Sequence, residues 1–221
     1  MNFVTRCALT ILFAFSAVVL GDAAQAADDI SKVNGSVKIE PGQQVGDVST
    51  VNGSVTIGAG ARAGNVETVN GSLKIEDKAV VGSAETVNGS ITVGAEAEVQ
   101  RAVEAVNGSL TLRQGAKVAG GLENVNGSML VEGARVDGGI ETVNGDIRLA
   151  TGPRVTGGIH AAEHKSPWRK GKNSRNPRIT IEQGVTVEGP LHFERAVDLY
   201  VAPGVTLPPV EGVQPQRFTL Q

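Results

Sequence analysis

Val51-Asn52-Gly53-Ser54 opens a unit, running from Val51 to Thr68, that the chain writes again and again. Val-Asn-Gly-Ser begins at Val33, Val51, Val69, Val87, Val106 and Val125, and a seventh copy at Val143 reads Val-Asn-Gly-Asp. The steps from each copy to the next are 18, 18, 18, 19, 19 and 18. A fixed short period of this kind belongs to a solenoid, whose repeats bury their apolar faces only on their neighbours. Around the signature, Val55 and Ile57 alternate with polar residues, as do Leu73 and Ile75, Ile91 and Val93, and Leu110 and Leu112. Period two over such short stretches means strand.

A finer period lies within the longer one. Val51, Ile57, Ala63, Val69, Ile75, Val81, Val87, Val93 and Val99 are spaced six apart. Three hexads per turn predict three short strands per coil with a corner after each, hence a triangular cross-section. The longer turns then hold one extra residue at a corner. Asn-Gly between alternating residues is also a strong hairpin signal, and seven hairpins would give an antiparallel meander. Gly58, Gly60 and Gly64 argue against it, because glycine weakens long strands and suits corners.

The coil outlasts its signature. Ile179, Ile181, Gly184, Val185 and Val187 repeat the pattern of Val55, Ile57, Gly60, Ala61 and Ala63, and Leu199, Val201, Gly204, Val205 and Leu207 repeat it again. The expected fold is all-β, a single-stranded parallel β-helix (a triangular solenoid) of about nine coils, each of about 18–19 residues. At ~4.8 Å between strands the stack would stand about 40 Å tall. The β-helix is expected over residues 27–207, with a basic insertion over 165–177. Residues 208–221 form a cap rich in proline, which has no amide hydrogen to extend a ladder.

Residues 1–26 read as a secretory signal peptide. Arg6 supplies the positive start, Cys7 to Leu20 is a nearly unbroken apolar run, and Ala24-Gln25-Ala26 is a small-x-small cleavage site. The run is short for a membrane span of ~20 residues, so no transmembrane segment is expected after cleavage. Cys7 is the only cysteine, so the mature chain has no thiol or disulfide chemistry. A bacterial periplasmic, secreted or cell-surface location is expected. Formal net charge is −3, which gives no reason to expect a nucleic acid partner. Only 3% of residues are aromatic against 29 glycines, so the interior must be thin and filled by Val, Ile, Leu and Ala.

The unit Ile179-Thr180-Ile181-Glu182-Gln183-Gly184-Val185-Thr186-Val187-Glu188-Gly189 resembles the bactofilin repeat, a bacterial polymer-forming cytoskeletal family, over about Val33 to Leu207. The resemblance implies a right-handed triangular β-helix able to join end to end into filaments without a nucleotide. The chain differs from that family in carrying an export signal. Its Val-Asn-Gly-Ser units also resemble those of bacterial adhesins with β-solenoid heads, for which export is expected.

In a solenoid each position in the coil becomes a column. Asn34, Asn52, Asn70, Asn88, Asn107, Asn126 and Asn144 form one, expected as a corner ladder of stacked amides, with the following glycine free to take positive φ. A second column holds Glu67, Glu85, Glu104, Glu123 and Glu141, then His160 and His192. Five carboxylates cannot be buried in an apolar channel, so this column is expected to face water, with raised pKa values from mutual repulsion. It offers oxygen ligands for loosely bound calcium, and Glu141, His160 and His192, with His164 nearby, offer a zinc-type set. No other cofactor is indicated. A third column, Thr50, Thr68, Thr86 and Thr142, resembles the threonine rows of ice-binding solenoids but is broken by Ala105 and Asn124.

The insertion gathers Lys165, Arg169, Lys170, Lys172 and Arg175 around the lone Trp168. Basic residues beside an aromatic suit anionic polymers, and for an exported chain these are cell-envelope polysaccharides. No nucleophile elbow, phosphate loop or paired metal motif appears, so the chain is not expected to be an enzyme. The expected function is an exported structural, adhesive or interaction protein, self-associating end to end. The alternative is a carbohydrate-active β-helix enzyme of the envelope.

Overall fold

The computed structural model describes residues 28–163, 175–212, 214 and 216–217. The expected signal peptide, residues 1–26, and the basic residues Lys165 to Lys172 with Trp168 lie outside the described residues, as does His164. The described chain contains strands and turns and no helix. Its strands form three parallel sheets of ten, ten and seven strands, each strand paired with its counterpart one coil away. This is a parallel β-solenoid of about nine coils.

Each full coil contributes three strands. Val66–Asn70 in sheet 1, Leu73–Ile75 in sheet 2 and Val80–Val81 in sheet 3 form one coil. The register is the sequence repeat itself: Val66 pairs with Val48 and Ala84, and Leu73 pairs with Val55 and Ile91. The extra residues fall at corners, as expected. Glu98 pairs with Val80, still on the shorter step, while Val103 pairs with Ala84, already on the longer one. The added residue therefore lies between Val99 and Val103, a corner that includes Arg101.

The core is a thin column of aliphatic side chains. Val66, Leu73, Ile75, Ala79 and Val81 point inward in one coil, and Phe193 is the only buried aromatic among the described residues. Two columns next to each other along sheet 1 take opposite faces. The valines of the signature lie outside the core, half-buried at Val51, Val69, Val87 and Val106 and 54% exposed at Val33, while Val125 and Val143 are covered, at 5% and 3% exposed. The threonine column, by contrast, faces inward, with Thr50, Thr68, Thr86 and Thr142 all buried. Thr50, Thr68 and Thr86 donate to the carbonyls of Gly35, Gly53 and Gly71 at 2.9–3.1 Å. Asn124 does the same for Gly108 at 2.8 Å. Buried corner carbonyls need a donor, so the threonines serve the fold and present no row to solvent.

The signature builds the corner between sheets 1 and 2. The seven asparagines hydrogen-bond Nδ2 to Oδ1 in an unbroken ladder at 3.0–3.1 Å. The glycine is required chiefly by proximity. A Cβ on Gly71 would lie 1.9 Å from the Gly53 carbonyl oxygen. From Ser36 to Ser90 each serine hydroxyl accepts the amide of the serine one coil on, Ser36 from Ser54 and Ser54 from Ser72 both at 3.2 Å, while Ser109 and Ser128 join hydroxyl to hydroxyl at 3.0 Å.

The variant seventh copy has a matching cause. Asp146 stands where serine would, and its Oδ1 accepts the Arg178 amide at 2.8 Å while Oδ2 pairs with Arg175 at 2.5 Å. Arg178 is where the chain re-enters the stack after the insertion, so that Ile159 pairs with Leu191, a far longer step than any earlier coil takes. One carboxylate thus holds both the amide of the resumed strand and a guanidinium beside it. Arg195 then closes the asparagine ladder, donating to Asn144 Oδ1 and to the Val143 carbonyl, both at 2.6 Å.

Candidate functional site

Sheet 1 carries the acidic column in strict register. Glu67 pairs with Glu85, then Glu104, Glu123, Glu141, His160, His192 and finally Glu211, one residue per coil. Alternation along strands such as Val66–Asn70 puts these side chains on the outer face, because Val66 and Thr68 take the inner one. The corner entering this sheet is built from Gly121, Gly139, Gly157, Gly158 and Pro190. Lacking bulky side chains, it leaves a shallow groove of about 370 Å³ along the column beside Glu123, Glu141, His160 and His192.

The column is less exposed than an outward stripe would be. Glu85 is only 8% exposed. Burial raises its pKa to about 7, with Glu104 and Glu67 adding to the rise, while the Ser83 hydroxyl and Arg101 oppose it. Glu85 Oε2 is buried without a hydrogen-bond partner. Glu67 is raised as well, by desolvation first and then by Asp47, against Arg101. Cross-strand like charges stand one rung apart, and partial dehydration strengthens their repulsion. Glu67 and Glu85 are therefore carboxylates held partly dehydrated beside like charges, with burial the leading cause of their raised pKa values.

The lower half differs because histidines enter it. His160 and His192 stack on adjacent rungs with ring centroids 5.4 Å apart and a 40° tilt. Glu141 Oε1 lies 3.6 Å from His160 Nδ1, and Glu211 Oε2 lies 2.8 Å from His192 Nδ1. Glu194 Oε1 approaches His160 Nε2 to 3.6 Å, and its other oxygen accepts the Glu163 amide at 3.0 Å. One ligating atom from each of His160, His192 and Glu194 lies within 4.8 Å of the other two.

The structure thus brings Glu141, His160 and His192 together, and it adds Glu194 and Glu211. Glu194 occupies the position held by Val143 and then Ala162 in the preceding coils, two residues past the column. The sequence hides it because its coil lacks the Val-Asn-Gly signature, so no repeated residue marks that position. Of the basic insertion, Arg175 is described and pairs with Asp146, so its charge is spent on the corner. No protein-family model, curated protein or solved structure matches the chain.

Proposed function

We propose that this chain is an exported structural or interaction module of the bacterial cell envelope, a rigid rod that works through its surfaces and its ends. The observation that carries the reading is the coil-on-coil parallel pairing that runs through all three sheets of a solenoid of about nine coils. Such a stack presents long, regular rows of side chains, and its grooves are shallow. Docking and assembly suit these features better than enclosing a small substrate does.

End-to-end association belongs to this proposal. Strand Ile30–Asn34 is the first of sheet 1, with one neighbour at Val48–Asn52 and none beyond it among the described residues. Val33 is exposed there, and Asn34 begins the amide ladder, giving its Oδ1 to Asn52. An open edge of this kind is a template for another strand. In the proposal, the basic insertion adds contacts to anionic envelope polysaccharide.

Electron microscopy and sizing of the purified protein lacking residues 1–26 test the reading. Filaments support the polymer, and monodisperse monomers that retain envelope polysaccharide support a binding module. Turnover of such a polysaccharide would make it the carbohydrate-active enzyme instead.

A further inference from the structure

The lower end of the acidic column differs from the rest in ligand chemistry. Glu67 to Glu123 offer only oxygen, whereas the next rungs offer two imidazoles and a carboxylate within 4.8 Å. His160 Nε2 is buried and has no hydrogen-bond partner, and it faces Glu194 Oε1 at 3.6 Å. Each ring is approached at Nδ1 by a different carboxylate, Glu141 for His160 and Glu211 for His192. At 2.8 Å the Glu211 contact is the outer-shell hydrogen bond that fixes a ligating histidine's tautomer and raises its basicity, and Glu141 stands behind His160 at ion-pair distance. With its Nδ1 engaged, His192 has Nε2 left to offer, and in His160 it is the unpartnered Nε2 that faces Glu194.

We infer that His160, His192 and Glu194 form a binding site for a zinc-class divalent ion, supported from behind by Glu141 and Glu211. Two imidazoles and one carboxylate are a known zinc set, leaving a fourth position for water. Ligands about 2.1 Å from a tetrahedral ion lie about 3.4 Å apart, so the three groups draw together by roughly 1 Å on binding. They stand on the outer face, where side chains have room for that adjustment. Calcium is disfavoured here, since it takes six to eight oxygens and no nitrogen. The site joins strands Ile159–Ala161 and Leu191–Phe193, the pair whose covalent connection is lengthened by the insertion. A bound ion would clip the terminal coils to the main stack where the chain connectivity is longest. The inference depends neither on export nor on end-to-end assembly.

Calorimetric titration of zinc chloride into the untagged protein tests it. One equivalent should bind, more weakly as the solution is acidified because protons compete for the imidazoles. His160→Ala and His192→Ala should each weaken binding at least tenfold, and Glu194→Gln, which keeps the side chain's shape, should do the same. Glu104→Gln, well above the site in the same column, should leave it unchanged. Cobalt in place of zinc should give the intense visible absorption of a four-coordinate site, and zinc should raise the unfolding temperature of the parent but not of His192→Ala. Zinc uptake that persists in the His160→Ala/His192→Ala protein, falls with Glu104→Gln, or is absent in the folded parent overturns the inference.

Discussion

At the scale of single residues the fold rests on contacts that admit almost no substitution. Gly71 stacks on Gly53 so closely that a Cβ would meet the carbonyl oxygen at 1.9 Å, and backbone on both sides cannot yield cheaply. Gly71→Ala is expected to cost about 3 kcal/mol or more, measurable by denaturant unfolding, with Ser72→Ala as a milder neighbour. The opposite case is Lys78, whose φ of 60° lies at a corner where Gly60 has 66°. A left-handed residue with a side chain costs ~1–2 kcal/mol, and Gly adds about 0.4–1 kcal/mol of unfolded-state freedom. Lys78→Gly should therefore stabilise the protein modestly. Glu85 sets a pH dependence. Its carboxyl loses a proton near 4.5 when unfolded and at about 7 when folded, so its favourable contribution is complete below pH 4.5 and is lost as pH rises to 7. At about 1.4 kcal/mol per unit the loss is roughly 3 kcal/mol. Glu85→Gln should match the parent in acid and exceed it in stability above pH 7 in thermal melts. The Glu column was legible from spacing alone. The burial of Glu85 was not, because it depends on how the Ser83 and Arg101 corner folds over the sheet.

At the scale of the element, each column is a cooperative object. Removing one rung of the asparagine ladder, as in Asn88→Ala, deletes the bond to Asn70 and the bond from Asn107. Both amides remain near water, so about 1–2 kcal/mol should be lost, read from the shift in denaturant midpoint. The ladder was legible because identical residues recur at one position. Its ending was not: Arg195 sits 51 residues from Asn144, and only the strand order shows that its coil stacks next to that corner. The inward face of the threonine column was hidden for a related reason. A hexad count treats corners and strands alike, whereas the side chain's face is set by alternation within each strand, and Val66–Asn70 puts Thr68 in and Val69 out.

At the scale of the molecule, stability is a sum over coils and their interfaces, since each coil touches only its neighbours. Excising one period, residues 66–83, joins Asn65 to Ala84 in the register Val66 already holds, so a shortened solenoid should still fold and give the same β-type circular dichroism. Parallel stacking is the claim on which the columns, the corner ladder and the metal site all depend. It is tested most directly by spin-label distances along the outer face of sheet 2, from Lys38 to Thr111, Arg148 and Tyr200, which lie four, six and eight rungs away. Stacked coils predict separations of about 19, 29 and 38 Å, close to 4.8 Å for each repeat. A rise of about 10 Å per repeat, as two antiparallel strands in every unit would produce, would contradict the account.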